Sequence, residues 1–369
     1  MIGHPDKEIV WAPVIKTNPA DPSKRNLGSG HSILVGSSGF GKTTLLMKML
    51  RHISTRSLRG EGRNIPALVL DFNDDCMSTS DGTAFIRESC ARVMDPMNGI
   101  PINPLILPRD PYSQRMTSYV WKSSQVAQAV GASFKLTQLQ ISMLQTGIET
   151  LYERHGFKKN DAATWSKPAP PFNEIFEELE KEAEDKKSTG VYALMRLKPL
   201  FINDIFRGGP TTDDIGSFLR TTTIIRLKAL PDPELRYALV NFLLRSLYEF
   251  LLSLGQSNTI RIVISVDEAH HISKTAILTT IIREMRKNGL ALILASQAYS
   301  DFPVDIVQNA GTLISFAQKN TEAERFSREL EQAGQKKGKV IKILQSLEPG
   351  VAIIRNTMYT PYEVFRVQL

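Results

Sequence analysis

Gly36-Ser37-Ser38-Gly39-Phe40-Gly41-Lys42-Thr43 reads G-x-x-x-x-G-K-T, and this octapeptide decides how the rest of the chain is read. The run before it, His31-Ser-Ile-Leu-Val35, is apolar and of strand length; Thr44-Leu-Leu-Met-Lys-Met-Leu-Arg51 after it has the pattern of a helix. A strand, a glycine loop and a helix in that order aim backbone N–H groups and a helix N-terminus at phosphate oxygens. The expected ligand is ATP with Mg²⁺, held by residues 36–44. Lys42 would reach the β- and γ-phosphates, and the Thr43 hydroxyl would bind the ion.

A second stretch completes the chemistry. Ile260-Arg-Ile-Val-Ile-Ser-Val-Asp267-Glu268 is an apolar strand ending in two carboxylates. After a phosphate loop, such a pair divides two tasks: Asp267 balances the metal charge and Glu268 polarises the attacking water. The next apolar run, Leu290-Ala-Leu-Ile-Leu-Ala-Ser296-Gln297, ends in a polar pair. Strand ends in open α/β sheets form the ligand crevice, so Gln297 is expected to meet the γ-phosphate or the lytic water. Between these runs lies a helix carrying Arg283, Arg286 and Lys287. An arginine can stabilise phosphoryl-transfer charge from a neighbouring subunit, and Arg286 is the first choice, Arg283 the second. His270 and His271 do not make a zinc motif, and Asp267 stands 225 residues after Lys42, unlike a DEAH-box helicase. They read as packing or supporting groups.

The 369 residues suffice for one large or two moderate domains, and the 42% hydrophobic content is that of a globular protein. The most apolar stretch, Leu239 to Leu254, is interrupted by Asn241, Arg245 and Glu249, so no integral membrane segment is expected. The N-terminal residues lack the apolar core of a signal peptide, and two cysteines make neither a disulfide framework nor a metal cluster. A cytoplasmic location is expected. The net charge of +7 suits a polyanionic partner.

Strands alternating with helices predict an α/β fold with a largely parallel sheet. Residues 1–30 read as an arm with a strand near Ile9 to Val14, and 31–104 as the first part of an ATPase core. Residues 105–215 read as a helical insertion and 216–369 as the second part of the core. Within the insertion, Thr137-Gln-Leu-Gln140 is a capping box opening a helix whose inner face carries Leu139, Met143, Leu144, Ile148 and Leu151. Asn173 is expected to cap a helix over 174–185. Further strands are expected at 66–70, 222–228, 312–316, 351–355 and 362–367.

With these residues in order, the chain resembles the HerA/FtsK superfamily of P-loop motor ATPases. The likeness is carried by Gly36–Thr43, Val69-Leu-Asp71, Ile102-Asn-Pro-Leu105, Leu136-Thr-Gln-Leu-Gln140 and Ile224-Ile-Arg-Leu-Lys-Ala-Leu230. It continues through Val266-Asp-Glu-Ala-His270, Arg283-Glu-Met-Arg-Lys-Asn-Gly289, Leu292-Ile-Leu-Ala-Ser-Gln297 and Ser346-Leu-Glu-Pro-Gly-Val-Ala-Ile353. The resemblance implies a RecA/ASCE-like core and a homo-oligomeric ring, usually a hexamer, with ATP between subunits and double-stranded DNA in the channel. It implies that Arg286 acts on a neighbour's site and that Asp71 belongs to the nucleotide site, with Asp74 or Asp75 in place of a glutamate common four residues on. About 35 residues precede the loop, too few for the β-barrel of HerA, which weakens the case for a HerA-type nuclease partner. Phe40 departs from the small residue usual there; since backbone N–H groups make the phosphate contacts, binding is expected to survive. The expected function is an ATP-driven motor on double-stranded DNA, with Arg51 to Arg63 and Gln335 to Lys339 as DNA-contact candidates. The alternatives are a secretion-type ATPase acting on protein and a nucleotide-dependent ring scaffold for a partner such as a nuclease.

Overall fold

The computed structural model describes residues 11, 17–18, 21–25, 30–55, 64–110, 113, 115–185, 189–209, 213–331, 338–356, 359 and 362–367. The chain divides into two compact units: residues 1–93, 221–225 and 256–369, and residues 94–220 and 226–255. The first carries the glycine loop and both carboxylates; the second is helical.

In the first unit β1 (Thr17–Asn18) and β2 (Asp21–Arg25) pair antiparallel as a small separate sheet. The main sheet contains β3 (Ser32–Val35), β4 (Ala67–Asp71), β5 (Arg92–Met94), β6 (Thr223–Arg226) and β7 (Ile262–Val266). It also contains β8 (Leu290–Ser296), β9 (Thr312–Ser315), β10 (Val351–Arg355) and β11 (Glu363–Arg366). Their order is β11-β10-β9-β3-β8-β7-β4-β6-β5. The pairs β9–β3, β3–β8, β8–β7 and β7–β4 are parallel, and β10 is antiparallel to both β9 and β11. Strands covered on both faces should read as unbroken apolar runs. Accordingly β3, β4, β7, β8 and β9 are buried at every residue. The α/β fold with a largely parallel sheet is therefore present. β1, β2 and β5 are short and were not foreseen, while the strand expected near Ile9 to Val14 lies outside the described residues except for Trp11. That indole packs on the core and donates to Ser32 Oγ at 3.0 Å.

The main sheet starts from a buried histidine. His31, 1% exposed, precedes β3, and its Nδ1 accepts the Leu292 N–H at 3.1 Å. Burial, reinforced by the charge of Arg286, lowers its pKa from 6.5 to about 4. A depressed histidine pKa means that the unfolded chain takes up the proton first, so stability is present above pH 6.5 and is lost as pH falls toward 4. The shift is worth about 3 kcal/mol across that window. Denaturant titrations of wild type and His31→Gln at pH 7 and pH 4 should show wild type losing that much more than the variant.

The helical unit packs the helix Tyr119–Phe134 against Gln138–Arg154 and against Pro233–Ser253. Tyr119, Tyr152 and Phe157 form one aromatic cluster; Phe172, Phe201, Phe206 and Phe242 form another. Between helices Lys122 Nζ meets Glu249 at 2.7 Å, both largely buried. The capping box at Thr137 and Gln140 is formed in both directions. Leu139 corrects the expected inner face: Met143, Leu144, Ile148 and Leu151 are buried, but Leu139 is 59% exposed, one turn before the packed stripe begins. Asn173 is not a cap either, because a 3-10 turn, Phe172–Glu174, runs directly into the helix Ile175–Asp185. The helix Pro233–Ser253, read from sequence as core, belongs to this unit, which spans more than the expected 105–215.

Candidate nucleotide site

Strand register assembles the site. Val35 pairs with Ser296 and Val266 with Leu294, so Gly36, Gln297 and Asp267 all follow the same edge of the sheet. Leu70 pairs with Val266, which sets Asp71 beside Asp267. Since β8 lies between β3 and β7, Gln297 emerges between the glycine loop and the carboxylate pair.

The loop needs its glycines at specific points. A Cβ on Gly36 would stand 2.6 Å from Phe316 Cβ, and Gly41 holds φ +101°, where only glycine is unstrained. The loop is pinned at two places: Ser37 N–H donates to the Ala317 carbonyl at 3.0 Å, and Gly350 N–H donates to the Phe40 carbonyl at 2.9 Å. The Phe40 side chain packs on the hydrophobic core, which explains the one loop residue that departs from the usual pattern. Ser38 and Gly39 remain exposed at the tip. The helix Lys42–Thr55 starts immediately after, with first-turn N–H groups that have no intrahelical acceptor, and Thr43 and Thr44 lie in that turn.

Lys42 is only 7% exposed and Asp267 5%. Thr43 Oγ1 donates to Asp267 Oδ2 at 3.0 Å, and Glu268 N–H donates to Asp267 Oδ1 at 3.0 Å. Burial pushes the Asp267 carboxyl up to about 6, against the opposing pull of the Lys42 ammonium and the Thr43 hydroxyl. A hydroxyl beside buried carboxylates is an all-oxygen donor set, which fits Mg²⁺. Glu268 sits in the left-handed region, φ 56° and ψ 47°, a turn that ends β7 sharply. Its Oε1 accepts the Gln297 Nε2 amide at 3.1 Å, and its Oε2 lies 3.1 Å from His270 Nδ1. Gln297 is aimed by Asp301, whose Oδ2 accepts both Ser296 Oγ and the Ala298 N–H.

Asp71 is 2% exposed and engaged by backbone: Oδ1 accepts the N–H groups of Asn73 and Asp75, and Oδ2 accepts that of Cys76. It thereby folds the chain so that Asp75 faces Asp267. Burial and the Asp71 charge raise the Asp75 pKa, and its side chain shares a hydrogen bond with Asp267. Of the two substitutes considered from sequence, Asp75 is the one brought to the carboxylate pair; only the register of β4 against β7 reveals this.

Lys42, Thr43, Asp267, Glu268 and Gln297 are thus gathered, and the arginines are not. Arg286 acts electrostatically on His31, at the start of β3, whereas the loop leaves its other end. Five residues of strand span about 16 Å. Arg283 pairs with Asp305 at 2.6 Å. Among the DNA-contact candidates, Arg51 pairs with Glu88 and Lys339 is exposed, while residues 56–63 and 335–337 lie outside the described residues.

No family model matches the chain, and no curated protein does. Solved structures do. VirB4 of Thermoanaerobacter pseudethanolicus superposes with a TM-score of 0.68 at 16% identity, over 98% of this chain and 97% of that one. The bacterial conjugative coupling protein TrwBΔN70 superposes with a TM-score of 0.58 at 17% identity, over 92% of this chain and 85% of that one. The plasmid coupling protein TrwB in complex with ADP and Mg²⁺ gives the same figures. Among the described residues no helix is long and apolar enough to cross a membrane. Glycine loop, strand order and superposition agree: the chain has the RecA/ASCE-type P-loop fold that VirB4 and TrwB also have.

Proposed function

We propose that the chain is a Mg²⁺-dependent ATPase that works as a homo-oligomeric ring, a hexamer in our reading, moving double-stranded DNA. The observation that carries the ATPase reading is the contact of Thr43 with Asp267, joined to Glu268 and Gln297 at the same sheet edge. When bound, Mg²⁺ would supply charge neutralisation of the phosphates, with Thr43 and Asp267 as its protein partners. Lys42 binds the phosphates, the loop N–H groups orient them, Glu268 takes the proton of the attacking water, and Gln297 holds Glu268 in place.

The position of Arg286 is consistent with a ring: it acts on His31 at the start of β3, the strand end away from its own loop, as an arginine that serves a neighbouring copy's nucleotide would. DNA as substrate is supported by likeness to a plasmid coupling protein and by where the charge lies. The unit with the glycine loop has 26 Lys and Arg against 20 Asp and Glu; the helical unit is nearly balanced, 19 against 18.

Duplex DNA should raise ATP turnover several-fold, and the gain should fall steeply as salt rises from 50 to 200 mM, as it does for sequence-independent phosphate contacts. Turnover unchanged by duplex DNA would leave the secretion-type reading, with a protein substrate. Native mass measured with a non-hydrolysable nucleotude analogue tests the ring: a fully active monomer would remove the shared-arginine argument. The scaffold reading predicts instead that partner binding survives loss of hydrolysis.

A further inference from the structure

A serine outside the catalytic set joins the two turns that carry Glu268 and Gln297. Glu268 opens its turn with φ 56° and ψ 47°, a left-handed conformation that a residue with a Cβ keeps only where its surroundings hold it. Ser273 closes the same turn, its N–H donating to the Ala269 carbonyl at 2.8 Å. Fully buried, it sends its hydroxyl across to the second turn, where Oγ donates to the Asp301 carbonyl at 2.6 Å. Asp301 ends the 3-10 turn Tyr299–Asp301 that follows Gln297. Its carboxylate reaches back over Gln297, and one oxygen accepts both Ser296 Oγ and the Ala298 N–H. The residues on either side of Gln297 are thus fixed by Asp301, and Asp301 is fixed to the Glu268 turn by Ser273. On the outer side Ser300 N–H donates to Glu322 Oε2 at 2.8 Å, and the Tyr299 ring meets Phe326 edge-on at 5.4 Å, so the second turn is held from there too.

The contact between the two turns needs such support. Gln297 Nε2 donates to Glu268 Oε1 at 3.1 Å from an exposed side chain, so water competes for its amide. A long amide side chain also loses rotamer freedom when it is held, and fixed neighbouring backbones leave less freedom to lose. Misplacing a catalytic group by about 1 Å costs about 10²-fold in rate. We propose that Ser273 and Asp301 form a clamp: the Ser273 hydroxyl on the Asp301 carbonyl, with the Asp301 carboxylate on Ser296 and Ala298, keeps Gln297 within reach of Glu268. Both are positioning residues. This rests on the ATPase reading above.

Ser273→Ala should lower kcat about tenfold with KM within about twofold of wild type. In a Gln297→Ala background the same change should cost less than about twofold, because the group that the clamp positions is gone. Asp301→Asn should stay within about threefold of wild-type kcat, since one amide oxygen can accept both donors, whereas Asp301→Ala should fall about tenfold or more. Amide hydrogen exchange, which needs no hydrolysis, should quicken about tenfold in Ser273→Ala at residues 268–273 and 297–302 together. Wild-type kcat in Ser273→Ala, a loss as large again in the Gln297→Ala background, or faster exchange confined to residues 268–273 would each overturn the proposal. Should Ser273→Ala not fold, the Asp301 pair decides, and equal losses in its Asn and Ala variants overturn it. If the wild-type chain hydrolyses no nucleotide the ATPase reading fails, and the exchange measurement alone decides whether the clamp joins the two turns.

Discussion

Glu268→Gln stops ATP turnover while nucleotide stays bound. The substitution keeps the shape of the side chain and one oxygen to accept from Gln297, and removes the charge and the ability to take a proton. General-base assistance contributes about 10² to 10⁴ in rate, so steady-state hydrolysis should fall by at least the lower figure. Binding should not weaken, because Lys42, Thr43 and the loop N–H groups are untouched; a fluorescent ATP analogue titrated in the presence of Mg²⁺ reads this directly. If the variant turned over ATP at even a third of the wild-type rate, Glu268 would not be the base. The same variant separates motor from scaffold: a motor loses DNA movement along with hydrolysis, while a scaffold still assembles with nucleotide and still carries its partner.

Lys42→Ala acts one step earlier, on binding itself. The Lys42 ammonium is nearly buried, and its charge opposes the upward shift of the Asp267 carboxyl. Asp71, Asp75, Asp267 and Glu268 lie around the same sheet edge, so a triphosphate approaching a site without Lys42 meets uncompensated negative charge. Charge-assisted hydrogen bonds to phosphate are worth about 1.5–3 kcal/mol. The nucleotide Kd should therefore rise about 10- to 100-fold at low salt, by equilibrium binding. Folding should survive, because the lysine makes no part of the apolar core. An unchanged Kd would mean that the phosphates lie elsewhere.

The sheet was the most legible part of this chain. Runs such as Ile262–Val266 and Leu290–Ser296 are apolar at nearly every residue, which a strand covered on both faces requires, and their ends fell within two residues of expectation. The loop and the Asp267–Glu268 pair were legible because their chemistry is local in sequence. What pairs with what was not. Asp75 reaches Asp267 only through the register of β4 on β7, and nothing in residues 71–75 announces that Asp71 is used up by backbone N–H groups. The helix Pro233–Ser253 is apolar on much of its circumference, so its sequence says that it is buried but not in which unit. Leu139 failed as a core residue because periodicity gives a face and not how far along the helix that face is covered.

The hydrogen bond from Gly350 to Phe40 sets an order of events during synthesis. The glycine loop lies at residues 36–43, yet its backbone is tied down by residues 317 and 350. Pairings so distant in sequence form late, after the loop-closure entropy has been met. A ribosome-bound chain therefore carries the complete G-x-x-x-x-G-K-T sequence through most of its elongation without a shaped phosphate cradle. The backbone support of the loop is complete only once residues 317 and 350 have been made and folded back onto it.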